Sequence, residues 1–298
     1  MELLHPVFTV SFLLLIAFSF FEVYGDEYRN FKSVWIVVAG LVIFAGLRYW
    51  VGADYPAYNN IFKYYGEFET YDEVFRKALF QESRMELEWI WVLLGKIFFD
   101  FGIQFHFFVL LIAVISVSLK YVAFEQAVVY PALSMALYLF PNYFSGDMGQ
   151  MRQAAAMGIL LFSFIYIKKR NLWMYLLMMY LAMGFHKSAV VFLPAYWLAT
   201  INLNATRMLV ILLVCVILSP FQVYNYFEFF TTVAPDDVAA GFSDYAMMEQ
   251  DNSRVQFTDL LSVMYMFFMV SFDKEACRKI PYYEYMRNCK SSAKRDTI

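Results

Sequence analysis

Charge is scarce in this chain, and what is missing narrows its function before any motif does. Of 298 residues only 16% are Asp, Glu, Lys or Arg, against roughly 25% in soluble domains. There are three histidines and three cysteines, with no His-x-x-x-His, no cysteine pair at zinc spacing and no Asp-x-Asp. The usual metal constellations are therefore excluded, and neither a metal nor a cofactor is expected. A glycine-rich phosphate loop and a Gly-x-Ser-x-Gly elbow are also missing. With 12 Gly and 8 Pro the chain has no long flexible linker, and no internal repeat is found. A net charge of −3 provides no basic surface for nucleic acid. Cys215, Cys277 and Cys289 form no framework and are expected as free thiols. Residues 1–6 lack the basic start of a cleavable signal, so the first apolar run is expected to stay.

What fills the space is apolar. Hydrophobic residues make up 61% and aromatic ones 21%, with a mean hydropathy of +0.53. The expected fold is all-α: a polytopic integral membrane protein forming one domain over residues 1–298, with 272–298 as a cytoplasmic tail. A perpendicular span takes roughly 20 residues. Candidate spans are 6–24, 33–49, 104–124, 128–144, 152–167, 172–185, 188–200, 207–221 and 259–272. Residues 172–200 are divided in two because Gly184, His186 and Lys187 interrupt the run.

Orientation is read from lysines and arginines in short loops. Arg29, Lys32, Lys120, the Lys168-Lys169-Arg170 cluster, Arg207 and the basic tail are expected to face the cytoplasm. The short run from Glu88 to Phe101 carries Lys96 and Asp100, and counting it as a crossing breaks the parity. It is therefore read as a half-helix whose polar groups protein or water must cover. Nine crossings then place the N-terminus outside, together with the segments 52–87, 145–151 and 222–258.

The outer side collects the polar residues at helix ends: Arg48, Asp54, Arg84, Glu86, Glu88, Asp147, Arg152, His186, Lys187 and Arg254. Each has a plain reading. Arg48 follows an uncharged run and could snorkel to headgroups. Arg84 and Glu88, at i,i+4 spacing, read as a surface ion pair. His106 reads as an interfacial aromatic. Arg152 stands apart, because it opens a helix directly after GDMGQM. Helix N-termini attract anions, and a guanidinium adds a two-pronged phosphate donor. Chemistry on such a base would be transfer from an activated substrate. Arginines would stabilise a leaving phosphate, and a carboxylate or imidazole would take a proton.

Four stretches in series, GLRYWVGADYPAY, ELEWIWVLLGKIF, MRQAAAMGILLFSFIYI and FHKSAVVFLPAYW, resemble the EpsG family of Wzy-type bacterial polysaccharide polymerases. The matching positions are Arg48, Gly52, Asp54 and Tyr55, then Glu88, then Arg152 and Gln153, then Phe185, His186, Lys187 and Ser188. Relatives often place Pro or Gly just after the Glu, where this chain has Trp89 and Ile90. They continue with further membrane helices where this chain stops in CKSSAKRDTI, which reads as a shortened C-terminus.

The resemblance implies a fold similar to large integral-membrane glycosyltransferases in the bacterial cytoplasmic (inner) membrane. It implies that polyprenyl-diphosphate-linked repeat units, as donor and acceptor, are joined into exopolysaccharide, capsule or O-antigen at the outer face. Asp54, Glu88 and His186 are the catalytic candidates; Arg48, Tyr55, Arg152, Gln153 and Lys187 are the candidates for holding diphosphate and glycan. Membrane lipid is the surrounding partner, with flippase and chain-length regulator proteins as further candidates. A lipid-linked-sugar flippase and a glycan ligase are the alternative functions.

Overall fold

The computed structural model describes residues 6–24, 34–52, 54–80, 87–128, 130–201, 205–218 and a few positions between 263 and 271. Arg29, Lys32, Arg84, Glu86, Arg254, Cys277, Cys289 and the basic tail lie outside the described residues, as does most of the candidate span 259–272. The described residues form helices joined by short turns, without a strand. The chain divides into two compact units, Met1–Ala199 and Thr200–Ile298.

The first unit runs α1 Pro6–Tyr24, α2 Val34–Gly46, α3 Tyr55–Phe68, α4 Tyr71–Phe80, α5 Trp89–Asp100 and α6 Phe105–Ala127. It continues with α7 Pro131–Tyr138, a π-helical stretch Leu139–Asp147, α8 Met151–Lys168 and α9 Leu172–Phe185. A 3-10 segment Lys187–Phe192 and the four-residue α10 Ala195–Leu198 close it. In the second unit, α11 Ala205–Leu218 is an apolar helix with Cys215 exposed as a free thiol.

Helix α6 is the wall shared by two cores. Phe105, Phe108, Val109 and Ile112 pack with α3, α5, α8 and α9. Further along the helix, Ala113, Val117 and Tyr121 pack with α1, α2, α7 and the π-helical stretch. With 23 residues, it is the one described helix long and apolar enough to cross a bilayer. Residues 9–24, α2, α9 and residues 206–217 are apolar but shorter. Large apolar side chains such as Leu13, Phe20, Ile36, Ile43 and Trp173 stand exposed, the outer surface a hydrocarbon solvent would cover.

Two expectations change. The run 188–200 is not a spanning helix: it is a 3-10 segment followed by α10, with Pro194 at the N-cap of the latter. Proline at 194 has no N–H to continue the 3-10 ladder and starts a new turn instead. Residues 52–87, read from the sequence as an external segment, hold α3 and α4. Lys120, expected in a cytoplasmic loop, is buried within α6. Its partner is Asp147, which the same scheme placed outside. Position near the end of an apolar run thus misassigned a lysine that the interior holds by an ion pair.

The short α5 fits the half-helix reading in length, at 12 residues. It runs alongside α3 in the same direction, with Trp91 against Tyr58 and Phe99 against Gly66. Protein covers its polar end: Lys96 donates to the Gly66 carbonyl at 3.2 Å and to Asp100 at 3.3 Å, and the Tyr71 hydroxyl donates to Asp100 at 2.7 Å. At α7, Glu22 of α1 accepts the Ala132 N–H at 3.0 Å and the Leu133 N–H at 3.4 Å. Those are donors that a helix start leaves without an internal partner.

Candidate functional site

Two helix ends and a strained turn build the site. α8 leaves Gln150, and α9 returns antiparallel to it after the turn at Arg170 and Asn171, where the Asn171 side chain caps α9 through the Met174 N–H. The hairpin carries His186, just past α9, back beside Arg152 at the start of α8. Gly184 eases the last approach. A Cβ there would stand 2.6 Å from the Ile90 side chain, which would have to shift to make room.

Glu88 is the N-cap of α5, yet its carboxylate does not cap its own helix. It is buried and turned toward the hairpin. Arg152 Nη1 donates to Oε2 at 2.7 Å, and the Lys187 backbone N–H donates to Oε1 at 3.1 Å. His186 Nδ1 lies 3.2 Å from Oε1, within ion-pair range but off the line of a straight hydrogen bond. Burial by itself raises the Glu88 carboxyl. The His186 side chain, the Arg152 guanidinium and the Lys187 N–H outweigh it and bring the group down to about 2. Glu88 is thus a buried negative charge; the expected partner Arg84 lies outside the described residues. Lys187 enters through its backbone, with its own side chain exposed.

Beside this carboxylate opens a pocket of about 220 Å³. His186, Gln153 and Ser188 are its polar lining, and Met157, Leu160 and Phe192 are among the apolar side chains that make up most of it. The Arg152 guanidinium lies 5.7 Å from the Tyr58 ring centre, and its Nε is buried without a hydrogen-bond partner.

The second cluster centres on Arg48, 6% exposed. After α2 ends, the chain turns through left-handed conformations at Trp50 (φ 56°) and Gly52 (φ 108°). At Gly52 a Cβ would also meet the Met148 carbonyl at 2.8 Å. This turn folds Arg48 inward, where Nη1 donates to the Asp147 carbonyl at 3.1 Å. Nε and Nη2 are buried with no partner. Arg48 was expected at the lip of a helix, and snorkelling outward is not what it does. Tyr55 is buried against Phe105 and Trp50, and Tyr58 lies within electrostatic reach of both Arg48 and Arg152. Asp54, half-buried, is the N-cap residue of α3 and makes no side-chain cap.

Residue-by-residue reading of the sequence missed the group below Arg48. The Asp147 carboxylate accepts from Lys120 Nζ at 2.9 and 3.0 Å, from Ser116 and from Tyr138. Ser116 and Lys120 are spaced i,i+4 on α6, so a polar pair on one helix face was the available signal. Among the described residues no three His, Cys, Asp or Glu side chains come together as a metal set would.

An all-helical base with exposed apolar side chains, one helix long and apolar enough to cross a bilayer and an Arg152–Glu88 ion pair at helix ends fits the class of membrane-associated proteins. The family model for the EpsG family matches residues 31–290, most of the chain. The chain belongs to the EpsG family, and with it to polysaccharide biosynthesis in a membrane setting. Neither a curated protein nor a solved structure gives a match.

Proposed function

We propose that this protein is a Wzy-type polymerase, joining polyprenyl-diphosphate-linked repeat units at the outer face of the bacterial cytoplasmic membrane. The observation that carries the reading is the buried Glu88 carboxylate, gripped by Arg152 and faced by His186, which itself lines a mainly apolar pocket together with Gln153 and Ser188. In the proposed step the acceptor sugar's hydroxyl oxygen bonds to the donor's anomeric carbon. The bond from that carbon to the diphosphate breaks, and polyprenyl diphosphate leaves.

His186 takes the hydroxyl proton. Glu88, held near a pKa of about 2, is too weak a base for that work and instead holds the imidazole with its Nδ1–H toward the carboxylate. Arg152 and Arg48 stabilise charge on the leaving diphosphate, because a guanidinium fork matches phosphate oxygens. Gln153, Lys187 and Asp54 contact the glycan or its diphosphate, while Tyr55, buried against Phe105 and Trp50, is a packing residue. The reading is tested by glycan analysis of a strain lacking the protein. Loss of long chains with single repeats retained supports a polymerase.

A flippase draws on the buried pair between Lys120 of α6 and Asp147 of the π-helical stretch, since charges inside a bundle can line a path. Complete loss of surface repeats in the same strain would favour it.

A further inference from the structure

The cations and anions of the two clusters do not balance alike. Around Arg152 the charges cancel, because Glu88 is its carboxylate partner. Around Arg48 they do not. Asp147 supplies the one carboxylate acting on either Arg48 or Lys120 among the described residues. Both of its oxygens face Lys120, at 2.9 and 3.0 Å, and Ser116 and Tyr138 also donate to them. What Arg48 receives from Asp147 is only the neutral main-chain carbonyl, at 3.1 Å. Two buried cations thus share one buried anion, and the guanidinium left over has two nitrogens with no partner. A surplus buried charge is costly until an opposite charge fills it.

We infer that Arg48 is the anion-binding centre of the site, and that Lys120 keeps it so by holding the Asp147 carboxylate away from it. Lys120 and Asp147 are positioning residues: neither is placed in contact with the substrate. The inference rests on the reading of the substrate as a diphosphate and assigns that group to Arg48, whose charge is uncancelled, ahead of Arg152. Asp147 divides its two ends between the jobs. Its carbonyl aims the guanidinium and its carboxylate is locked to α6. Without Lys120 the carboxylate has a cation within the same residue's reach, and Arg48 would lose its surplus charge to it.

The test is pyrophosphate binding to the purified full-length protein in detergent, read by calorimetry. Lys120→Met should weaken binding by at least about tenfold, the effect of one close charge in a poorly solvated site. Asp147→Asn leaves two unbalanced cations and should tighten binding. Lys120→Met with Asp147→Asn should return binding to near the parental value, a rescue that mere damage to packing would not produce. Arg48→Met should abolish it.

Parental affinity in folded Lys120→Met overturns the inference, and so does weaker binding in Asp147→Asn. If Lys120→Met does not yield monodisperse protein, the sign of the Asp147→Asn change alone decides. Glycan chain length in cells is read separately. Variants that change pyrophosphate affinity as expected but leave chain length at the parental distribution keep the anion site and overturn the polymerase reading.

Discussion

Arg152 Nη1 and Glu88 Oε2, 64 residues apart in the chain, meet at 2.7 Å. The contact ties the start of α8 to the start of α5, and with the Lys187 N–H it fixes the end of α9 as well. Three segments that share no local sequence are thereby registered on one carboxylate. Its charge has a measurable signature.

Glu88 is depressed from 4.5 to about 2 in the folded protein. A depressed acid contributes stability above its unfolded pKa and loses it as pH falls through the folded one. The contribution is therefore complete near neutrality and fades between about pH 4.5 and pH 2, amounting to about 3 kcal/mol. Glu88→Gln should lower thermal stability in detergent at pH 7 and show a shallower loss across that acid window. Equal pH profiles for parent and variant would remove Glu88 from the ionised network.

The arginines separate anchoring from catalysis. Lysine supplies a stem and a positive end but not the planar fork. Arg48→Lys and Arg152→Lys should both give protein at normal membrane levels with much shorter glycan. Losing one preorganised donor of this kind costs on the order of 10²–10³ in rate. Parental chain length in both variants would leave the mechanism without an anion site.

His186→Gln keeps an amide in place of the imidazole and removes the proton acceptor. Turnover should fall by roughly 10²–10⁴, with expression unchanged. Near-normal glycan length would make His186 a packing residue beside Glu88.

The sidedness expected from the loop charges can be read at two turns. Glu69 ends α3 and Asn171 begins α9. A membrane-impermeant thiol reagent on intact cells should label Glu69→Cys and not Asn171→Cys. Labelling of the second contradicts the assignment of the Lys168-Lys169-Arg170 turn to the cytoplasm.

Much of this was legible in the residues. The break after α9 was marked by Gly184, His186 and Lys187, and the segments holding Glu88, Arg152 and His186 stood out as charges at the ends of apolar runs. α3 could have been found too, since Tyr55, Tyr58, Phe62 and Gly66 fall at helical spacing and are its buried face. Lys120 could not be placed by composition. The loop-charge rule counts a lysine without asking what faces it, and its partner Asp147 is 27 residues away. The inward turn of Arg48 was hidden for the same reason. A left-handed turn at Trp50 and a carbonyl 99 residues on decide it.

That distance of 99 residues is also an interval in synthesis. Arg48 leaves the ribosome with α2, long before the π-helical stretch exists to receive it. Until Asp147 arrives the guanidinium must rest in water or among headgroups, at the end of α2 and not within it. The buried surroundings of Arg48 are therefore completed late, by the segment that carries Tyr143 to the Leu41 carbonyl at 2.6 Å and Asp147 to Lys120. A nascent chain halted between α6 and α7 holds the arginine and the lysine with no carboxylate between them. Quality control that senses charge exposed in the membrane would read that intermediate as unfinished.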